Sequence, residues 1–361
     1  MTPAQARRHC GAAVPAQRPI ESAAERKGAS VGPEGRTERS NWFSSVGPEG
    51  RTERSKQTVS SAVMAPSDQP PRLRLGHSPD PDDVFMWWPL FERDGQPPPL
   101  DTGRFRFDPV LADIETLNHR SQQGDLEITA ISCAQYPHVK DRYALTACGS
   151  SMGDGYGPKL VSGRPMEPDE LRGGDLVIAV PGERTSAFAA TSLWLGPGSF
   201  RYRVVDFDQI VDRVADGEFA AGLIIHEGQL TFERAGLHLV ADVGLWWSSG
   251  HQLPLPLGVN AIRLDLDEQY GPGTLGEVTA ILLRSVKHAL AHRREAITHA
   301  RCYARDMPDE LVDRFVGMYV NRWTLDFGAS GREAVRVFLG ETSRAGLTPD
   351  PGPVAFVDAV E

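Results

Sequence analysis

From Arg72 onward, short apolar runs that read as strands alternate with longer stretches of helical periodicity, and this alternation confines the chain to the α/β class. One pattern occurs twice. The helical stretch IETLNHRSQQ turns at Gly124-Asp125 into the strand LEITAIS, and the helical stretch QIVDRVADG leads in the same way into FAAGLII. Ser132 closes the first unit and His226 follows the second, so they hold equivalent places at the carboxyl ends of strands. In open α/β sheets, ligands bind in the crevice outside those ends. Two such units, well separated along the chain, predict two lobes whose strand ends face one cleft.

The remaining elements fit that plan. LRLG (73–76) reads as a strand ended by His77-Ser78-Pro79. Asp80 then serves as a helix N-cap, with Pro81 at the first helical position and Asp82 and Asp83 in the first turn. The strand DLVIAV (175–180) runs through Pro181-Gly182 into a helix that begins near Thr185. In the C-terminal third, Leu275, Val278, Leu282 and Ala289 form one helical stripe, and Ser330 with Glu333 reads as a capping box. The boundaries expected are a large lobe from 72–174 plus 259–348, a small lobe from 175–258, and a C-terminal tail from 349–361.

Residues 1–71 are of another kind. The string SVGPEGRTERS stands unchanged at 30–40 and at 45–55, set among Gly, Pro, Ser and charged residues. So little apolar surface cannot offset about 1–2 kcal/mol of ordering entropy per residue. The segment is expected to be a disordered or spurious extension, with Met64 an alternative start. No apolar core follows Met1 as a secretory signal requires, and Cys10 follows Arg7, Arg8 and His9 rather than an apolar stretch. Seven acidic residues are too many for a transit peptide, so a cytoplasmic location is expected.

Composition narrows the function. With 38 Lys+Arg against 48 Asp+Glu, the formal charge is −10, which argues against a nucleic-acid partner. No apolar run approaches the roughly 18–20 residues that span a bilayer, so no membrane partner is expected. The four cysteines are scattered without a CxxC pair, which argues against a zinc ribbon or a disulfide scaffold. GxGxxG, GxxxxGK[ST] and GxSxG are absent, and so is metal-ligand histidine spacing. No cofactor and no metal is expected. A homodimer is compatible with the sequence, which does not specify an oligomeric state.

The segments GHSPDPDDVFMWWPL, VLADIETLN, VPGERTSAF, AGLIIHEGQLTF, DVGLWW, LPLPLGVN and YVNRWTLDFG resemble, in order from about 73 to 345, the 1,4-dihydroxy-6-naphthoate synthase family of menaquinone biosynthesis. The resemblance implies the two-lobed fold of type II periplasmic solute-binding proteins. It further implies a lyase that converts cyclic dehypoxanthine futalosine, a small anionic molecule, into 1,4-dihydroxy-6-naphthoate with release of the sugar-derived fragment. His226 matches the family's catalytic histidine. It suits a general base because an ordinary imidazole pKa near 6.5 leaves a neutral fraction at cell pH.

Ala130, Ile131 and Ser132 match the family's first substrate-contacting segment, and Thr185 and Ser186 match its hydroxyl pair. Independently of the family, the helix starting there has no acid in its first turn (Ser186, Ala187, Phe188), so its free N–H groups suit a carboxylate. Two positions depart from the family. Ala130 stands where the family has Lys in T-K-L-S, and Asp80 and Asp82 stand in place of Cys and Asn in S-P-C-P-N-D. Both changes disfavour an anion nearby. Trp246-Trp247, Trp87-Trp88 and Trp323 are expected to be packing rather than an aromatic cage. Two rival readings remain: a chorismate dehydratase-like enzyme, and a non-catalytic solute-binding protein on the same fold.

Overall fold

The computed structural model describes residues 69–304 and 307–360, so the readings made for residues 1–68 lie outside the described residues. The strands form two sheets. The larger takes β1 (Arg72–His77), β2 (Arg106–Leu111), β3 (Ile128–Ser132), β4 (Tyr143–Thr146), β5 (Ser151–Gly153), β11 (Leu255–Arg263) and β12 (Phe356–Val357). Its order is β12-β4-β11-β3-β1-β2, with β5 beside β11. The smaller takes β6 (Lys159–Ser162), β7 (Val177–Val180), β8 (Arg201–Val204), β9 (Ala221–Ile224) and β10 (His238–Asp242), in the order β10-β6-β9-β7-β8.

The two sheets share one plan. β1 lies between parallel β2 and β3, with antiparallel β11 beyond β3. β7 lies between parallel β8 and β9, with antiparallel β6 beyond β9. Parallel neighbours need long crossovers, and helices supply them. α1 (Pro81–Trp87) follows β1, and α2 (Ile114–Ser121) joins β2 to β3. α3 (Ser186–Leu195) joins β7 to β8, and α4 (Ile210–Ala215) joins β8 to β9. The twice-repeated unit of the sequence is thus the second half of each βαβαβ arrangement.

Local chemistry sets the helix starts. Asp113 accepts from Thr116 N at 3.0 Å to cap α2, and Thr185 accepts from Phe188 N at 3.1 Å to cap α3. Pro81 occupies the first position of α1, with Asp82 and Asp83 behind it. Both faces of each sheet are covered, as period-two alternation requires. In the smaller sheet Leu160, Ile178 and Leu223 pack with Phe188 of α3, while Val161, Ala179 and Ile224 pack with Ile210 of α4. In the larger, Leu73 and Leu75 share a core with Val278 and Leu282 of helix Thr274–Ala291. Ile131, Leu145 and Val259 share another with Phe338 and Leu339 of helix Gly328–Arg344.

Sheet membership moves three expected boundaries. β6, expected with residues 72–174, bonds to β9 and β10 in the smaller sheet. β11 begins at Leu255, ahead of 259, because Leu255 and Pro256 pair with β5. The segment expected as a C-terminal tail adds β12 to the edge of β4, where Leu145 N donates to Ala355 O at 2.9 Å. The capping box also moves. Helix Gly328–Arg344 starts ahead of Ser330: its N-cap is Phe327, which makes no side-chain cap bond, and the Asp326 carboxylate accepts from Gly328 N at 2.8 Å.

The chain crosses between the sheets from β5 to β6 and from β10 to β11, and the two crossings meet at glycines. A Cβ on Gly157 would lie 2.8 Å from Gly244 Cα, and one on Gly244 would overlap the Tyr156 carbonyl. Gly244 opens helix α5 (Val243–His251), capped by Asp242, while Val243 N donates to Pro158 O at 2.9 Å. Overpacking of this kind costs about 1–3 kcal/mol. Gly244→Ala should therefore lower the melting temperature by several degrees. Gly250→Ala, in the same helix with nothing within 4 Å of its Cβ, should hold or raise it in the same thermal melt.

Candidate functional site

A cleft open to solvent lies at the carboxyl ends of β1, β3, β7 and β9. Ser78, Asp82, Ser132 and Asn260 line it from the larger sheet, and Ser186 and Ile225 from the smaller. The α1 and α3 N-termini hold equivalent places in the repeated plan and both open on it. They differ in charge. α1 carries Asp82 and Asp83 in its first turn, whereas α3 carries no acid there.

The α3 end is built to receive an anion. The first amides of a helix lack intrahelical partners, and Ser186 and Ala187 both line the cleft. Their hydroxyl neighbours are already engaged. Thr185 Oγ1 donates to Gly182 O at 2.9 Å while capping the helix. Ser186 Oγ donates to Leu257 O at 2.7 Å and accepts from Ala134 N at 3.2 Å, so it ties α3 to the larger sheet. Ser132 differs: Asn118 donates to its Oγ from Nδ2 at 3.0 Å and accepts from its amide at 2.8 Å. That clamp uses the Ser132 hydroxyl as an acceptor and leaves its proton to be given to a bound group.

The α1 end is acidic and buried. Asp82 accepts from Ser151 Oγ at 2.9 Å, and Asp83 accepts from Ser78 N at 2.8 Å. Burial raises both carboxyl pKa values, and the Asp82 charge drives that of Asp83 further up. Beside them Tyr319, fully buried, donates to Gln229 Oε1 at 2.8 Å. Burial raises its phenol pKa, so the hydroxyl stays neutral and a donor.

His226 lies just past β9, where Ile225 lines the cleft. Its Nε2 is 2.8 Å from Phe207 O, and its Nδ1 accepts from Gly228 N at 3.0 Å. Since a carbonyl only accepts, the neutral ring carries its proton on Nε2. Glu227 Oε2 stands 3.5 Å from Nδ1. Burial disfavours the imidazolium, but the Glu227 carboxylate, with Asp80 and the Phe207 carbonyl, outweighs it and raises the pKa above 6.5.

The cleft thus brings together Ala130, Ser132, Thr185 and Ser186. Ile131 is a correction: strand alternation turns its side chain into the core with Val259 and Phe338. Trp87, Trp88 and Trp247 are buried in the two cores of the larger sheet, and Phe315 and Tyr319 are the aromatics on the cleft. His251 stacks on Trp247 at 3.7 Å between ring centroids and pairs with Glu341. Sequence reasoning missed Asn118, Ser151, Asn260 and Tyr319. Asn118 and Asn260 lay inside quoted motifs, but nothing local separates a clamping asparagine from a helix- or strand-surface one.

Two sheets on one plan, with a cleft at their opposed strand ends, define a two-lobed α/β protein of the periplasmic-binding-protein fold. The alkanesulfonate-binding protein SsuA of Xanthomonas axonopodis pv. citri, bound to MOPS, superposes with a TM-score of 0.58 at 14% identity, over 81% of this chain and 100% of that one. That likeness is one of fold. Protein AF1704 of Archaeoglobus fulgidus superposes with a TM-score of 0.66 at 35% identity, over 76% of this chain and 97% of that one. Residues 73–344 match the family described as menaquinone biosynthesis. The chain is 40% identical to 1,4-dihydroxy-6-naphthoate synthase of Thermus thermophilus, over 78% of this chain and 98% of that protein. It is 34% identical to the Streptomyces coelicolor protein of the same name, over 79% and 97%. The chain belongs to the menaquinone-biosynthesis family.

The Thr185 cap yields a direct check. Thr185→Ala should cost about 1 kcal/mol of stability in denaturant unfolding, the usual value of a hydroxyl cap. Thr185→Ser should restore most of it. Equal losses in the two variants would mean that the methyl group, not the cap, carries the effect.

Proposed function

We propose that this protein is a carbon–carbon lyase that converts cyclic dehypoxanthine futalosine into 1,4-dihydroxy-6-naphthoate, with His226 as general base. The observation that carries this reading is the near-complete coverage, 98% and 97%, of two relatives bearing the name of that synthase. The cleft's chemistry supports it. The substrate carboxylate rests on the amides of Ser186 and Ala187 and accepts a hydrogen bond from the Ser132 hydroxyl. The Thr185 and Ser186 hydroxyls act by holding that helix end in place rather than by touching the anion. This puts the substrate's charge at the α3 end of the cleft rather than the α1 end, where Asp80 and Asp82, two of the departures from the family, would repel it.

His226 removes the substrate proton whose loss drives ring aromatisation and expulsion of the sugar-derived fragment. The ring must first turn from Phe207 or Gly228, which exchanges one modest hydrogen bond for contact with the substrate. Glu227 makes the ring a stronger base. One observation favours a non-catalytic binder instead: both His226 nitrogens already hold protein partners.

The two readings part on one variant. His226→Asn keeps the size of the group but cannot take a proton at neutral pH. It should bind substrate normally and lose roughly 10²–10⁴-fold in kcat, followed by naphthoate absorbance. Full turnover would remove His226 from the mechanism. Tight binding without any product from the wild type would establish the binder.

The pH dependence follows from the sign of the shift. The base works neutral, so kcat falls as pH drops through the His226 pKa, and the acid limb should lie above 6.5. Glu227→Gln removes the charge that raises this pKa, so the limb should move to lower pH. A limb that stays in place would assign the titration to another group.

A further inference from the structure

Asn260 is the cleft residue whose hydrogen bonding is half made. It stands on β11 directly across from Ala130 of β3, and both line the cleft. Its side chain is almost wholly buried, at 1% exposure. Nδ2 donates to Gly149 O at 2.6 Å, which fixes the amide orientation, because the reverse would set two acceptors together. Oδ1 is buried and has no hydrogen-bond partner among the described residues. A buried acceptor of this kind carries a desolvation penalty that an arriving donor relieves.

The surroundings supply no such donor. Ala130 presents only a methyl group across the strand pair. Ser151 spends its hydroxyl proton on Asp82, and Asp83 is a second carboxyl on the same wall. An approaching carboxylate is repelled there, whereas a hydroxyl group finds acceptors. Along β11, Asn260 lies three residues beyond Leu257, whose carbonyl takes the Ser186 hydroxyl at the anion end. Three residues of strand span about 10 Å, the length of a substituted bicyclic ring.

We propose that Asn260 is a specificity-determining residue whose Oδ1 accepts a hydrogen bond from a ligand hydroxyl, so that the cleft selects carboxylates bearing hydroxyl groups at their far end. The assignment rests on the proposed anion site at α3 and names what the other end of that site reads.

Two probes differing only in their hydroxyls test it: 1,4-dihydroxy-6-naphthoate and 2-naphthoate, titrated calorimetrically without oxygen so that the diol stays reduced. The wild type should bind the diol about tenfold more tightly, the worth of one such hydrogen bond. Asn260→Ala should abolish that preference and leave 2-naphthoate affinity within about twofold. Ala130→Lys keeps Asn260 but places an ammonium donor against Oδ1, and it should abolish the preference too. A wild type that binds both probes equally overturns the proposal, as does a preference that survives Asn260→Ala. Should Asn260→Ala fail to melt like the wild type, a preference that survives Ala130→Lys overturns it instead. Both measurements read binding, so a wild type that forms no naphthoate defeats the proposed reaction and leaves this comparison standing.

Discussion

The backbone-on-backbone contact of Gly157 with Gly244 sets where the two sheets stand, and with them the cleft. No side chain intervenes at that crossing, so no rotamer can adjust it. The same short stretch is tied by the Val243–Pro158 hydrogen bond and by the Lys159–Asp242 ion pair at 3.6 Å. Nearer the cleft the lobes are joined by side-chain hydrogen bonds, among them Ser186 to Leu257 O and Ala134 N, Tyr319 to Gln229, and Arg184 to Glu115 and Gln135, and by Ala189 and Ala190 of α3 packed with Ile131 and Val259. Each hydrogen bond is worth about 1 kcal/mol net. The glycine crossing is therefore fixed by backbone packing, whereas the hydrogen bonds at the cleft are ones a ligand can exchange.

The repeated plan explains how one cleft comes to have two chemistries. Each half places a helix N-terminus after its central parallel strand, so both bring a partial positive charge to the cleft. At α1 the Asp82 carboxylate opposes it, with the Asp83 carboxyl beside it in the first turn. The first turn of α3 leaves it standing, and Ser132, clamped by Asn118, adds a hydroxyl proton nearby. The losses that look unfavourable in isolation, Lys at 130 and Asn at 82, fall on the opposed side. Electrostatics thereby orients a ligand with one charged end.

Much of this was legible because it is local. The two helix–turn–strand units, the Pro81 start and the Thr185 cap depend on neighbouring residues, and the structure holds them where the residues indicate. The β6 pairing was not legible: the Gly-rich stretch GSSMGDGYGP (149–158) marks a break before Lys159–Ser162, but the strand's partners lie far along the chain. Ser330 and Glu333 fit a capping box by spacing, yet the helix already begins at Gly328 and both lie inside it. Ile131 shows a subtler failure. A motif of three consecutive residues was carried over whole, although period two lets only Ala130 and Ser132 share a face. Asn118 and Asn260 act through atoms on other elements, and no sequence pattern encodes such a meeting.

His226 joins the chemistry to this architecture. Neutral, its Nδ1 accepts from Gly228 N and its Nε2 faces Phe207 O. Protonation of Nδ1 would set two donors against each other, and the Glu227 carboxylate at 3.5 Å is the acceptor at hand. A ring that takes up a proton there must therefore release Gly228 and move toward Glu227. Gly228 belongs to the turn Glu227–Leu230, which His226 caps, and that turn also carries Gln229. Gln229 in turn accepts from Tyr319 across the cleft. The protonation state of one imidazole is thus linked, through three consecutive residues, to a bond that holds the two lobes together.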